Sequence, residues 1–267
     1  MTQPVTVAPG TPIHLKDFDA GYCPEKFSRD DGEDALKDNA KKLADLGYRL
    51  YAENRRSLLL VLQGMDTAGK DGTIRSMMRG FNPQSCQVTS FKVPSEEERD
   101  HGFLWRIHRA MPRHGNIAIF NRSHYEDVLV VKVDRLAPPH EIASRYDRIN
   151  EFEQMVTESR TTIVKCFLHI SHEEQRERLQ ARLDNPNKRW KFSRGDLDKR
   201  KQWEDYVAVY EDALTRCNTH HAPWHIIPSD RKWYRNYVIS RILVETLEGM
   251  NPQFPPAEDD LDGITVE

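Results

Sequence analysis

Short apolar runs alternate along this chain with longer stretches in which leucines recur at helical spacing. Residues 58–63 are nearly all aliphatic and have the length of a buried strand. Cys86 to Phe91, Gly115 to Phe120, Thr161 to His169 and Trp224 to Ile227 repeat that character. Between them, Leu36, Leu43, Leu46 and Leu50 predict a charged amphipathic helix over 31–55. Ser95-Glu96-Glu97-Glu98 reads as a capping box opening a helix to about Ala110, and Ser171-His172-Glu173-Glu174 as another opening a helix to about Leu183. Further helices are expected over 139–158, 196–217 and 231–248. Short apolar strands separated by helices predict an α/β fold whose parallel sheet is covered on both faces.

The ends break this pattern. Residues 1–28 are rich in proline and glycine and predict an irregular arm over the surface. The tail 251–267 carries Glu258, Asp259, Asp260, Asp262 and Glu267 and reads as acidic and solvated. No Gly/Ser-rich linker divides the chain, so 1–267 is expected to form a single domain. The 39 basic and 42 acidic residues leave a net charge of −3, which gives no support to nucleic-acid binding. No apolar stretch reaches membrane-spanning length and no secretion signal opens the chain. Cys23, Cys86, Cys166 and Cys217 form no Cys-x-x-Cys pair, so free thiols in a reducing cytoplasm are expected.

The chemistry starts where the first apolar strand ends. Gly64-Met65-Asp66-Thr67-Ala68-Gly69-Lys70 is a Gly-x-x-x-x-Gly-Lys loop, and a helix is expected from Asp71. A strand, such a loop and a helix N-terminus cradle phosphate: glycines let backbone N–H groups approach, and the lysine adds a mobile charge. Gly64, Ala68, Gly69, Lys70, Asp71, Gly72 and Thr73 are the expected phosphate contacts. The loop also departs from the common pattern, because Asp71 stands where a hydroxyl residue would hold magnesium. Asp66, inside the loop, would repel phosphate unless it holds a metal or handles a proton.

Phe120-Asn121-Arg122-Ser123-His124-Tyr125-Glu126-Asp127 follows the third strand and should lie beside the loop, since ligands in open parallel sheets sit at the carboxyl ends of strands. Arg122 can neutralise phosphate and Asp127 can hold magnesium, while Tyr125 either packs on the ligand or fills space. Arg178 and Arg182 share a helix face at i,i+4 and suit bidentate phosphate contacts, or else pair with Glu174 and Glu177. Residues 185–194 carry Lys188, Arg189, Lys191 and Arg194 with Trp190, Phe192 and no acid, the composition of a lid over anions. Arg75 and Arg79 face either a second anion or solvent, and Lys92 and Arg106 have similar weight. The eleven histidines show no metal-binding spacing.

Taken together, residues 64–72, Phe103-Leu104-Trp105-Arg106, residues 120–128 and the basic lid resemble the polyphosphate kinase 2 family, in order, over about residues 30–250. The resemblance implies a P-loop kinase fold similar to thymidylate kinase: three layers, a central five-stranded parallel sheet and a helical lid at 184–200. It implies Mg²⁺-dependent transfer, with Mn²⁺ able to substitute, of the terminal phosphoryl group of inorganic polyphosphate to a nucleotide, adenine or another base. Asp66 and Asp127 would then handle metal and the attacking phosphate oxygen. Lys70, Arg122, Arg178, Arg182 and the lid cations would hold phosphates, with Asp66, Arg75, Lys92 and Glu126 toward the nucleotide. Other members read Tyr-Asn-Arg-Ala-Gly after the Arg-Ser of the second motif. His124-Tyr125-Glu126-Asp127 instead resembles the class III branch, which phosphorylates both AMP and ADP. The family also implies a homo-oligomer, a dimer or tetramer. An ATP-dependent nucleoside monophosphate kinase shares sheet, loop and lid, but Asp66 and Asp71 count against it. A GTPase-like switch lacks its Asn-Lys-x-Asp motif here, and a P-loop binding protein without turnover is the remaining alternative.

Overall fold

A computed structural model describes residues 6–257 and 265–266; the acidic positions 258–262 and 267 lie outside the described residues. Five strands form one all-parallel sheet in the order β2-β3-β1-β4-β5: β1 Ser57–Gln63, β2 Cys86–Ser90, β3 Ile117–Asn121, β4 Thr161–His169 and β5 Trp224–Pro228. Every residue of β1 is buried, as its unbroken aliphatic run requires of a central strand with helices on both faces. Leu62 pairs in register with Asn121 of β3 and Cys166 of β4, so the segments leaving β1 and β3 emerge side by side. The edge strand β2 keeps only Cys86 buried, and its polar Gln87 and Ser90 face outward.

The helices are α1 Arg29–Glu53, α2 Lys70–Met77, α3 Glu96–Arg99, α4 Trp105–Ala110, α5 Val130–Val133, α6 Pro139–Glu158, α7 His172–Asp184, α8 Arg194–Lys201, α9 Trp203–Arg216 and α10 Lys232–Met250. Helix α1 starts on a full Ser28–Asp31 capping box and buries Leu43 and Leu50 from the expected stripe. It packs along α10, where Gly32 leaves the room that the Trp233 ring takes.

Two expected helices are each split. The one opened by the Ser95–Glu98 capping box stops at Arg99, and α4 begins afresh at Trp105 after a turn in which the Trp105 amide donates to the Gly102 carbonyl. Expected helix 196–217 is α8 plus α9, jogged at Gln202. At Ser171 only half of the capping box forms: its hydroxyl accepts from the Glu174 amide, while its own amide donates to Asp230 Oδ1 at 2.9 Å. The N-terminal arm is more than surface wrapping. Ile13 and Leu15 are buried, their amides donate to Thr215 Oγ1 and Glu211 Oε1 of α9, and Thr6 bridges His225 on the edge strand β5.

Candidate active site

The loop from β1 to α2 closes only with glycine at its two ends. Gly64 has φ 151° and a Cβ there would sit 2.7 Å from the Leu168 carbonyl oxygen; Gly69 has φ 110° and a Cβ would collide with Arg235 Nη1. L-residues avoid both backbone regions, so glycine is required sterically at these two positions of the expected phosphate loop. Helix α2 opens at Lys70, which leaves the N–H groups of its first turn without intrahelical acceptors at the mouth of a cleft.

That cleft, of about 880 Å³, is lined by Asp66, Gly69, Lys70, Asp71, Gly72 and Arg75 from the loop and α2, by Lys92 after β2, and by Arg122, Arg182, Lys188, Lys191 and Lys232. Eight cations thus converge on one cavity in a chain of net negative charge. Arg122 is one of them. Its φ of 64° is rare for a non-glycine residue and turns the side chain back over the loop. Its Nη2 donates to Asp66 Oδ1 at 3.0 Å and its Nη1 to Glu126 Oε2 at 3.1 Å, so one guanidinium holds two carboxylates. Burial works against the Asp66 charge, but Lys70, Arg122, Lys199 and Arg182 outweigh it and hold that carboxyl below the ordinary range. Asp66, Arg122 and Glu126 also line a smaller adjoining cavity with Lys199, Tyr206 and Tyr210.

Lys70 is folded onto the loop, donating to the Gly64 carbonyl at 2.6 Å and the Met65 carbonyl at 3.2 Å. Burial, and next the Arg122 charge, lower its pKa to about 8 against the pull of Asp66, Glu126 and Asp71. The lid touches the loop through its cations: Lys191 Nζ lies 3.7 Å from Asp71 Oδ2, and Lys199 Nζ 3.8 Å from Asp66 Oδ2. Asp71, in the usual hydroxyl position, also accepts from Asn121 Nδ2 at 2.9 Å and so ties the end of β3 to α2.

Several expected phosphate contacts stand elsewhere. Arg178 is buried beneath the loop, not facing the cleft: its Nη1 donates to the Thr67 and Ala68 carbonyls, its Nη2 to the Ser229 and Asp230 carbonyls, and its Nε to Glu174. The Glu174 pairing weighed from the sequence is therefore real, and Arg178 braces the loop. Arg182, one turn on, does line the cleft and lies 3.5 Å from Asp196. Ala68 is buried with its amide donating to the Met65 carbonyl, and Thr73 is buried with its hydroxyl toward Asn236. Arg189 donates to the Leu183 carbonyl on the outside of the lid, and Arg194 is exposed at the start of α8; neither lines the cleft. Asp127 lines neither cavity. It sits between Arg106 and Arg145, each 3.7 Å away, and its Oδ2 is buried with no hydrogen-bond donor. Burial raises its pKa despite those arginines.

Three residues of the site escape a reading by motif. Arg235 of α10 donates through Nη1 to the Ala68 carbonyl and, buried beside Arg178, has a pKa lowered to about 9. Lys199 and Lys232 line the two cavities from α8 and the start of α10. The only signal for Arg235 is an arginine on the face of α10 that buries Tyr234, Val238, Ile239 and Ile242.

Among the described residues, no group of three or more His, Cys, Asp or Glu side chains is arranged to hold a metal ion. Asp66 opens onto the cleft and fits a cation shared with substrate phosphates, whereas Asp127, in neither cavity and flanked by Arg106 and Arg145, does not.

A family model described as "Polyphosphate kinase 2 (PPK2)" matches residues 26–255. The chain is 48% identical over 266 residues to the AMP/ADP-polyphosphate phosphotransferase of Meiothermus ruber, covering 98% of each. It is 40% identical to the ADP-polyphosphate phosphotransferase of Rhodopseudomonas palustris, over 95% of this chain and 92% of that one. Among solved structures, polyphosphate kinase 2 from Arthrobacter aurescens TC1 superposes with a TM-score of 0.92 at 41% identity, covering 96% of this chain and 92% of that one.

Proposed function

The chain belongs to the polyphosphate kinase 2 family, and from that premise we propose that it transfers the terminal phosphoryl group of inorganic polyphosphate to AMP and ADP, reversibly. The observation that carries the reading is Arg122, held between Asp66 and Glu126 at the mouth of a cation-lined phosphate cleft. Both substrates are polyanions, and phosphoryl transfer asks mainly for in-line positioning and for positive charge around the migrating group.

Polyphosphate lies along Arg182, Lys188, Lys191 and Lys232. An oxygen of the nucleotide's last phosphate attacks the terminal phosphorus, the bridging P–O bond breaks, and its electron pair leaves with the shortened polymer. Arg122 and Lys70 face the equatorial oxygens as charge redistributes. Phosphate beside Lys70 offsets the burial that lowers its pKa and favours the ammonium. Asp66 and Glu126 hold Arg122 in place, and Arg75 and Lys92 meet the nucleotide's phosphate on the acceptor side. Asp66 would hold magnesium, or manganese, whose charge would offset that of the substrate phosphates. Glu126, within the segment that resembles the class III branch, supports acceptance of AMP, whose single phosphate must reach the position of ADP's second.

The free cysteines support a cytoplasmic setting, and no helix among the described residues is long and apolar enough to cross a membrane. A single domain over 1–267 and a homo-oligomer belong to the same reading. Purified protein with Mg²⁺, polyphosphate and AMP should form ADP first and ATP later. Transfer from ATP but not from polyphosphate would make it a nucleoside monophosphate kinase, and conversion of ADP with AMP untouched would restrict the acceptor.

A further inference from the structure

Beneath the turn that carries Arg122, Glu126 and Asp127 lies a fully buried ionic cluster. Glu153 of α6 and Lys165 of β4 are each inaccessible to solvent, and Lys165 Nζ donates to Glu153 Oε2 at 2.6 Å. The other oxygen, Oε1, accepts from Tyr125 Oη at 2.8 Å and from His124 Nε2 at 3.1 Å. Lys165 completes its three donations with Tyr125 Oη at 2.8 Å and the Cys217 carbonyl at 2.7 Å. Because the carboxylate only accepts, His124 carries its proton on Nε2, and its Nδ1 is left without a partner. The ammonium and the carboxylate then balance, with no net charge in the core.

Such a cluster needs a reason. Well-packed apolar residues in place of a buried ion pair commonly leave a protein as stable or more so. What the ions provide here is direction. His124 and Tyr125 occupy consecutive positions of the 3-10 turn His124–Asp127, and both are drawn inward onto a single carboxylate oxygen. The residues flanking them, Arg122 before and Glu126 and Asp127 after, are left to project away from that anchor. Arg122 itself has a positive φ that an untethered chain would relax.

We propose that Glu153 and Lys165 are positioning residues for phosphoryl transfer: acting through His124 and Tyr125, they fix the turn so that Arg122 and Glu126 are aimed at the phosphate loop. The inference rests on the transfer activity proposed above, but local hydrogen exchange tests it independently of that activity. Two changes probe it in the full-length protein. Tyr125→Phe removes one hydroxyl and keeps the ring against Trp224. The double change Glu153→Gln with Lys165→Met removes both charges together and leaves neither ion unpaired. Amide exchange in 122–128 should accelerate in both variants while that of β1 stays at the wild-type rate. In turnover, kcat should fall about tenfold or more with KM for nucleotide and polyphosphate nearly constant, since a misaimed group costs rate more than binding. A loss explained by a smaller folded fraction would scale every readout alike and overturn the proposal, as would wild-type exchange in 122–128. If the double variant does not fold, Tyr125→Phe alone decides between these outcomes. Wild-type protein that transfers nothing from polyphosphate would sink the activity and leave the exchange test standing.

Discussion

Lys70 works under two opposed demands, to be close enough to phosphate to stabilise it and buried enough to do so in a low dielectric. Burial and the Arg122 charge bring its pKa down to about 8. In the free protein it therefore loses its charge as pH rises through that value, and kcat/KM for polyphosphate should fall above about pH 8. Bound phosphates restore the proton, so kcat should hold to higher pH; parallel declines of both would remove Lys70 from the profile. The native state disfavours its charge, a cost present below about pH 8 that fades toward the ordinary lysine value. Lys70→Ala removes that cost together with the bonds to the Gly64 and Met65 carbonyls, so its melting temperature should not fall below the wild-type value, while turnover drops on the order of a hundredfold, about 2–4 kcal/mol of lost transition-state stabilisation. Glu126→Ala releases one side of Arg122 and leaves Asp66 on the other. Rates with AMP and with ADP as acceptor should separate, the AMP step losing more; equal losses would deny Glu126 any part in acceptor length. That Gly64, Asp66, Lys70, Arg122 and Glu126 come together at the strand ends was legible in the sequence because each lies in a segment that leaves a central strand. Arg235 was not, because its role depends on which helix packs behind the loop.

Along α7 the i,i+4 spacing of Arg178 and Arg182 correctly put both on one face, but spacing does not say how deep each sits. Arg178 lies under the loop and fills its donors with backbone carbonyls from two segments, whereas Arg182, one turn further out, reaches the cleft. Their replacements should consequently behave as different kinds of variant. Arg182→Ala should raise the KM for polyphosphate, most clearly at low salt and less as salt screens the wild-type contact, with an unchanged melting profile. Arg178→Ala leaves several buried carbonyls unpaired and should lower stability by about 3 kcal/mol or more while depressing activity with both substrates. Thermal melts beside substrate titrations would tell them apart, and a stable Arg178→Ala protein defective only toward polyphosphate would return that arginine to the polymer. The same depth problem explains the helix boundaries. Apolar periodicity found α6 and β4 to the residue but ran through the breaks at Asp100–Leu104 and Gln202, where local hydrogen bonds, not hydrophobic pattern, end the helix.

Across the whole molecule, the Glu153–Lys165 pair joins elements far apart in the chain: α6, β4, the turn after β3 and, through the Cys217 carbonyl, the end of α9. A lysine in mid-strand and a glutamate in mid-helix carry no motif, so only the fold reveals that they meet. Removing one partner strands the other charge in a core without water. Lys165→Met alone should cost about 3–5 kcal/mol, while the paired change with Glu153→Gln should cost far less, a non-additivity that a double-mutant cycle by denaturant unfolding reads directly. The pair also gives stability a pH signature. Burial by itself would raise the Glu153 pKa, but Lys165 and the bonds from His124 and Lys165 hold it below the ordinary glutamate value. A carboxyl depressed in the native state contributes stability that is fully present above its unfolded pKa, roughly 4.3, and is lost as pH falls through the native value. Unfolding free energy should accordingly decline on acidification below about pH 4, and decline less steeply in the double variant, where no carboxylate remains at that position to be protonated. Identical acid slopes in the two proteins would mean that the acid sensitivity resides in surface carboxylates and that Glu153 exchanges no proton on unfolding.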